Sequence, residues 1–161
     1  MKLRGNLRAT AAHHEAGHAV IAHTLGCRVA RVFIDEDSGG GATRIRFWGR
    51  GEQRIEREIL VNLAGPYSQR RFAPRSRWRG RSHAGFASGY DFDNVTTLIY
   101  NLHGRGKVAE KYRAYMEARV EALVEQRWRY IESVAKALLE RGVITGDIRT
   151  AFPSVGAGKR P

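Results

Sequence analysis

The stretch HHEAGHAVIAHTLG, residues 13–26, decides the first element of the fold. Together with the residues just before it, this stretch has an apolar residue or a histidine at every third or fourth position, which is the spacing of one helical face. That face runs through Leu7, Ala11, His14, His18, Ile21 and Leu25. Thr10 is of a type that caps helix starts, and Gly26 is of a type that ends helices. The sequence therefore predicts a helix from about residue 11 to residue 25.

Two strands are predicted directly after this helix. RVARVFI at 28–34 and ATRIRFW at 42–48 alternate in polarity and are rich in β-branched and aromatic residues. The turn-forming segment EDSGGG lies between them at 36–41. A hairpin or two neighbouring antiparallel strands are therefore expected.

Helices are predicted for most of the remaining chain. Apolar residues recur at helical spacing in residues 53–72, 91–102 and 107–141. We expect Pro66 to kink or split the first of these helices, and we expect a break near residues 115–118 in the last. The fold class indicated is α+β, mainly α-helical, with a small antiparallel hairpin or sheet and a C-terminal helical bundle.

Length and composition indicate how the chain is organised. Its 161 residues fit a single domain at 1–152, followed by a flexible, Gly-rich tail at 153–161. Residues 73–90, rich in Arg, Gly and Ser, predict a long loop. The single cysteine, Cys27, excludes an internal disulfide and fits a reducing compartment. Because no apolar run fits a signal peptide or a membrane span, we expect a cytoplasmic protein with no membrane partner.

The charge of the chain leaves two interpretations open. Lys and Arg number 28 against 16 Asp and Glu, which gives a net charge of +12. Such a balance attracts polyanions or acidic partners, and it also arises in a basic surface that is simply solvated. Arg75, Arg77, Arg79 and Arg81 surround Trp78, a composition that can contact phosphates and stack on a base. No recognisable nucleic-acid motif accompanies them.

The motif H-E-x-x-H occurs once, at His14, Glu15 and His18. On a helix, residues four apart lie one above the other, so both imidazoles can bind one metal ion. Glu15 is rotated by about 100° from His14 and can act as a general base beside the ion. Zinc suits imidazole and carboxylate ligands and acidifies water. The motif therefore predicts a zinc site with a catalytic carboxylate.

A catalytic zinc normally takes three protein ligands, so one more residue is expected to bind it. Asp91 and Asp93 lie at a predicted junction of loop and helix, where a carboxylate can point at a neighbouring helix. Capping of the helix is an equally valid interpretation of both residues. His83, His103 and the glutamates of the last helices are the other candidates.

Four segments resemble, in order, the peptidase domain of the FtsH family of ATP-dependent zinc metalloproteases. They are HEAGHAVIAHTLG at 14–26, VNLAGPYSQRRF at 61–72, DFDNVTTL at 91–98 and ESVAKALLERGVITGDI at 132–148. The resemblance implies a zincin-like fold, zinc bound by His14, His18 and Asp91, and Glu15 as the catalytic base. Asp93 is the alternative third ligand.

The resemblance covers the peptidase part of that family alone. GAGKR at 156–160 lacks the spacing and the hydroxyl residue of a nucleotide-binding loop. We therefore expect cleavage of flexible or unfolded polypeptides, delivered by a separate ATPase or needing none. Gly39, Gly40, Gly41 and Ala42 are the predicted substrate-binding residues, beside a strand edge that an extended peptide can join. The competing interpretation is an inactive peptidase fold that binds nucleic acid or an acidic partner through its basic surface.

Overall fold

The computed structural model describes residues 2–35, 40–74 and 86–154, and of these the side chains of residues 2–6 and 86–89 are outside the description. In chain order the elements are α1 Lys2–Thr24, β1 Arg28–Ile34, β2 Gly41–Arg46, α2 Gly51–Phe72, α3 Phe86–His103, α4 Lys107–Arg141 and β3 Val143–Thr145, followed by a 3-10 helix at Ile148–Ala151. The fold is α+β and mainly helical, as predicted. Within the described ranges, no helix combines the length and the hydropathy that crossing a membrane requires.

The first helix ends where the sequence predicts but begins earlier. It starts at Lys2, and Thr10 is buried inside it instead of capping it. Residues 2–10 contain Lys, Leu, Arg and Ala, all good helix formers, so the helix continues through the potential cap. At the other end Gly26 has φ 77°, and the amide of the next residue donates to the Ala22 carbonyl at 2.9 Å. This is the hydrogen bond that closes a glycine-terminated helix.

The three strands form an antiparallel sheet in the order β2-β1-β3. The predicted antiparallel pairing of β1 and β2 is confirmed. β3 was not predicted, because three residues are too few to show a period. Val32 and Ile34 of β1 and Ile144 of β3 are buried on the face of the sheet that packs against α1 and α4. β2 lies at one edge of the sheet, with its own inner face against α1.

The later helices differ from the predictions in three places. α2 is one helix from Gly51 to Phe72, so Pro66 does not split it, and the helix packs against α1 and α4. α4 has no break at 115–118, since Met116 is buried and continues the apolar stripe of the helix. α3 begins at Phe86, so Asp91 lies in its second turn and does not cap it.

Small residues bring α1 and α2 close together. A Cβ atom added to Gly17 of α1 would lie 2.6 Å from the Ala64 carbonyl oxygen and 2.3 Å from the Ser68 hydroxyl oxygen. Both distances are far below van der Waals contact, so this approach requires glycine. The close approach sets the motif histidines of α1 directly against α2.

Candidate metal centre

The histidines of the motif meet an aspartate from another helix. His14 and His18 extend from α1 and Asp91 from α3, and all three side chains are buried. The two histidine Nε2 atoms are 3.0 Å apart. Asp91 Oδ2 lies 3.0 Å from Nε2 of His14 and 3.3 Å from Nε2 of His18. Two nitrogens and one carboxylate oxygen thus form a small triangle, a group able to hold a metal ion.

The dimensions of this triangle suit zinc. Zinc binds imidazole nitrogen and carboxylate oxygen at about 2.0–2.2 Å, almost always with tetrahedral geometry. Two ligand atoms of such a tetrahedron are roughly 3.3–3.4 Å apart, as follows from bonds of about 2.0–2.1 Å. The observed edges of 3.0, 3.0 and 3.3 Å are within a few tenths of an ångström of that separation. Three ligands also leave the fourth position open, as a catalytic site requires.

The hydrogen bonds on the far side of each ring fix which nitrogen faces the triangle with a lone pair. His18 Nδ1 donates to the Val61 carbonyl at 2.7 Å, and His14 Nδ1 donates to Gln69 Oε1 at 3.0 Å. A neutral imidazole with its hydrogen on Nδ1 carries a lone pair on Nε2. In this form two lone pairs converge on the buried Asp91 Oδ2, which then receives no hydrogen bond from either ring. Such a group requires a cation, either a proton or a metal ion.

The pKa values show how the group behaves when a proton is the cation. Burial disfavours the charged His18 ring, but the Asp91 carboxylate outweighs burial and raises the pKa of His18 to about 9. Burial also disfavours the Asp91 carboxylate, but the charge of His18 and hydrogen bonds from both histidines hold its pKa well below the usual range. The Asp91 carboxylate is therefore ionised at neutral pH and available as an anionic ligand.

A glycine keeps the space beside the ligand atoms open. A Cβ atom on Gly65 of α2 would lie 2.3 Å from His18 Nε2 and 2.8 Å from His14 Nε2. Any larger residue at this position would displace the rings. In the sequence, Gly65 belongs to the LAG stretch that contributes to the family resemblance, but nothing local indicates that it faces the histidines.

Glu15 lies beside the triangle and is held separately from it. Its side chain is buried, and its Oε2 accepts a hydrogen bond of 2.7 Å from the Thr43 hydroxyl of β2. Gly41 packs against the same side chain, since a Cβ atom there would lie 2.7 Å from Glu15 Cγ. Sequence reasoning missed Thr43, which shows only the ordinary pattern of a strand residue.

The triangle and Glu15 line one open cleft of about 500 Å³. Gly40, Gly41 and Ala42 of the predicted substrate segment line it too, whereas Gly39 lies outside the described residues. A search against models of known families finds no match, and a search of curated proteins finds none. The arrangement of these side chains and the sequence motifs are therefore the features that point to a function.

The remaining candidate ligands lie elsewhere or outside the described residues. Asp93 is exposed, although it is only two residues from Asp91. His103 stands at the far end of α3, where its ring contacts Tyr112. His83 and the arginine-rich segment 75–81 fall outside the description.

Proposed function

We propose that this protein is a zinc metallopeptidase. Zinc is bound by His14, His18 and Asp91, and Glu15 is the general base. The observation that carries the proposal is the convergence of two imidazole lone pairs and one carboxylate in a buried triangle that opens on a cleft. The resemblance to the FtsH peptidase domain and its zincin-like fold supports the same proposal.

The residues around the site suit hydrolysis of a peptide bond. Bound zinc would supply a Lewis acid that polarises the scissile carbonyl and makes water more acidic. Glu15 takes one proton from the attacking water while the water oxygen forms a bond to the carbonyl carbon. The carbon–nitrogen bond then breaks, and Glu15 delivers that proton to the leaving amine. Thr43 donates to one Glu15 oxygen and so orients the carboxylate, which leaves the other oxygen for the proton.

An extended peptide fits the cleft beside β2. β2 is an edge strand, and its first residues, Gly41 and Ala42, line the cleft with Gly40. A substrate strand can hydrogen-bond to such an edge through its backbone, whatever its side chains are. This mode of binding suits flexible or unfolded polypeptides, because a folded chain has no free strand to offer.

The charge of the cleft favours a basic side chain in the substrate. Glu15, Glu58 and Asp91 line it, and none of the described lining residues is Lys or Arg, although the chain carries a net charge of +12. Among the described residues, the Glu58 carboxylate makes no ion pair. Glu58 precedes Gly65 by two helical turns, about 10 Å along α2. That distance corresponds to about three residues of extended substrate.

Metal content and activity together test the proposal. Tag-free wild type, D91A and D93A should be compared by elemental analysis, and wild type and E15Q by cleavage of an unstructured fluorescent peptide library. We expect about one zinc per wild-type chain from the single triangle, much less in D91A, and no loss in D93A. E15Q should keep its zinc and lose cleavage. Equal zinc in D91A and wild type would exclude the ligand set, and equal cleavage by E15Q would exclude Glu15 as the base.

A further inference from the structure

The outer face of the sheet carries two cross-strand pairs of arginines. Arg28 of β1 is paired with Arg46 of β2, and Arg31 is paired with Arg44. All four side chains are exposed. Because Arg44 and Arg46 are two residues apart on one strand, both point to the same face, and so do their partners.

An irregularity in β1 creates this arrangement. Arg28 and Arg31 are three residues apart, and a regular strand would direct them to opposite faces. The register shifts between Val29 and Arg31, so that the intervening Ala30 is the extra residue. Such a bulge changes the face of the sheet to which the following side chains point. It returns Arg31 to the face of Arg28 while Val29 and Val32 stay buried on the other face.

The four arginines do not stabilise the sheet. Like charges directly opposite one another on neighbouring strands are destabilising. The strands RVARVFI, GATRIR and VIT contain no acidic residue. Within the described ranges, none of the four arginines makes an ion pair. The arrangement therefore suits an anionic ligand better than it suits the free protein.

Aromatic rings accompany the arginines. Phe33 is paired with Ala42, two residues before Arg44, so its ring lies on the same outer face. The Arg31 guanidinium is 5.0 Å from the centroid of this ring. Trp48, half exposed just after β2, donates to the Leu25 carbonyl near the start of β1 and so flanks the Arg28 end of the face.

We propose that this outer face binds single-stranded nucleic acid. Guanidinium groups bind phosphates through a planar fork, and aromatic side chains stack on unpaired bases. Arginine and aromatic residues are also common in protein interfaces, but four paired arginines with no acidic residue on the strands call for several anions in a row. A phosphate backbone supplies such a row. The inner face of the same sheet holds Thr43 against Glu15, so the two proposed sites lie on opposite sides of β2.

Fluorescence anisotropy tests this proposal. A labelled single-stranded RNA and the matching DNA are titrated with wild-type protein over a range of salt concentrations. Four phosphate contacts would give a slope of log affinity against log salt of about −3, from about −0.7 per contact. R44E should weaken binding by roughly tenfold or more, since it removes one contact and adds repulsion. R44E also places a carboxylate opposite Arg31, so the melting temperature should not fall. F33L should weaken binding by roughly tenfold through lost stacking.

The matched control is R129E, which changes the same charge at an exposed position on α4. It should bind nearly as well as wild type. Absence of binding by wild type, a flat salt dependence, or equal weakening by R129E and R44E would each overturn the proposal. Heparin binding as tight as RNA binding, with F33L unaffected, would also overturn it, since the face would then be a general polyanion surface. E15Q and zinc-free protein should bind normally, which separates this site from the proposed peptidase site.

Discussion

Replacing Gly65 with alanine is the sharpest structural test of the metal centre. The new methyl carbon would lie 2.3 Å from His18 Nε2, and an ordinary contact begins at 3.4 Å. The ring must therefore move by about 1.1 Å, the difference between these two distances. Distances between zinc and its ligands tolerate about 0.2 Å. A shift of this size away from the Val61 carbonyl would also break the hydrogen bond of 2.7 Å that this carbonyl accepts from Nδ1 of the same ring.

The expected result is a large loss of zinc with a moderate loss of stability. We expect zinc affinity to fall by at least about a hundredfold, the upper end of what displacing a group around a metal ligand costs. Overpacking of a buried site costs about 1–3 kcal/mol of unfolding free energy. Because alanine is a better helix former than glycine by about 1 kcal/mol, the net destabilisation should be at the lower end of that range.

Competition with a fluorescent chelator measures the affinity, and thermal unfolding of the zinc-free proteins measures the stability. The control is G104A, at a glycine with φ 69° and no atom within 4 Å of the added carbon. Alanine is strained at that φ, so G104A should lower stability without changing zinc affinity. If G65A bound zinc as tightly as wild type, the metal could not lie between the two Nε2 atoms, and the proposed centre would be refuted.

Three further predictions test the surroundings of the site. T43V preserves the side-chain shape but removes the hydrogen bond to Glu15, so kcat should fall roughly tenfold or more with unchanged zinc content; unchanged kcat would contradict the orienting role. Because zinc must displace the proton that His18 holds with a pKa of about 9, the apparent zinc affinity should rise with pH up to that value and level off above it. Calorimetric titration across this range measures the effect, and a flat profile would contradict it. E58Q should reduce kcat/KM for peptides with Lys or Arg more than for neutral peptides. The control E132Q, at an exposed position on α4, should show no such difference. An equal loss by E58Q for both peptide classes would argue against a subsite for basic side chains.

The sequence predicts local elements well where one pattern dominates. β1 at 28–34 and the glycine that ends α1 follow directly from alternation and from backbone preference. The start of α3 could not be read in this way, because residues 86–90 include Gly and Ser and show no apolar period. For that reason the sequence predicts Asp91 at a helix start, whereas it lies about one turn inside α3.

The site was predictable only in part, for a similar reason. The spacing of the motif indicates a metal and a base, because both depend on a single helix. The groups that orient these residues come from distant segments: Gln69 is 55 residues from His14, Val61 is 43 from His18, and Thr43 is 28 from Glu15. No local period records such contacts. They follow from the close packing of α1 against α2 and β2, which becomes apparent only in three dimensions.

The short strand β2 contributes residues to the proposed zinc centre on one face and to the arginine-rich surface on the other. Its side chains alternate between the faces of the sheet, so Thr43 reaches Glu15 on the inner side while Arg44 and Arg46 project outward. The cleft thereby gathers carboxylates in a chain that is strongly basic overall, and the arginines of this strand are kept out of it. A one-residue slip of the strand would place arginine beside the triangle and thus oppose a bound cation. The register of β2 is therefore as important to the proposed zinc centre as the three ligands are.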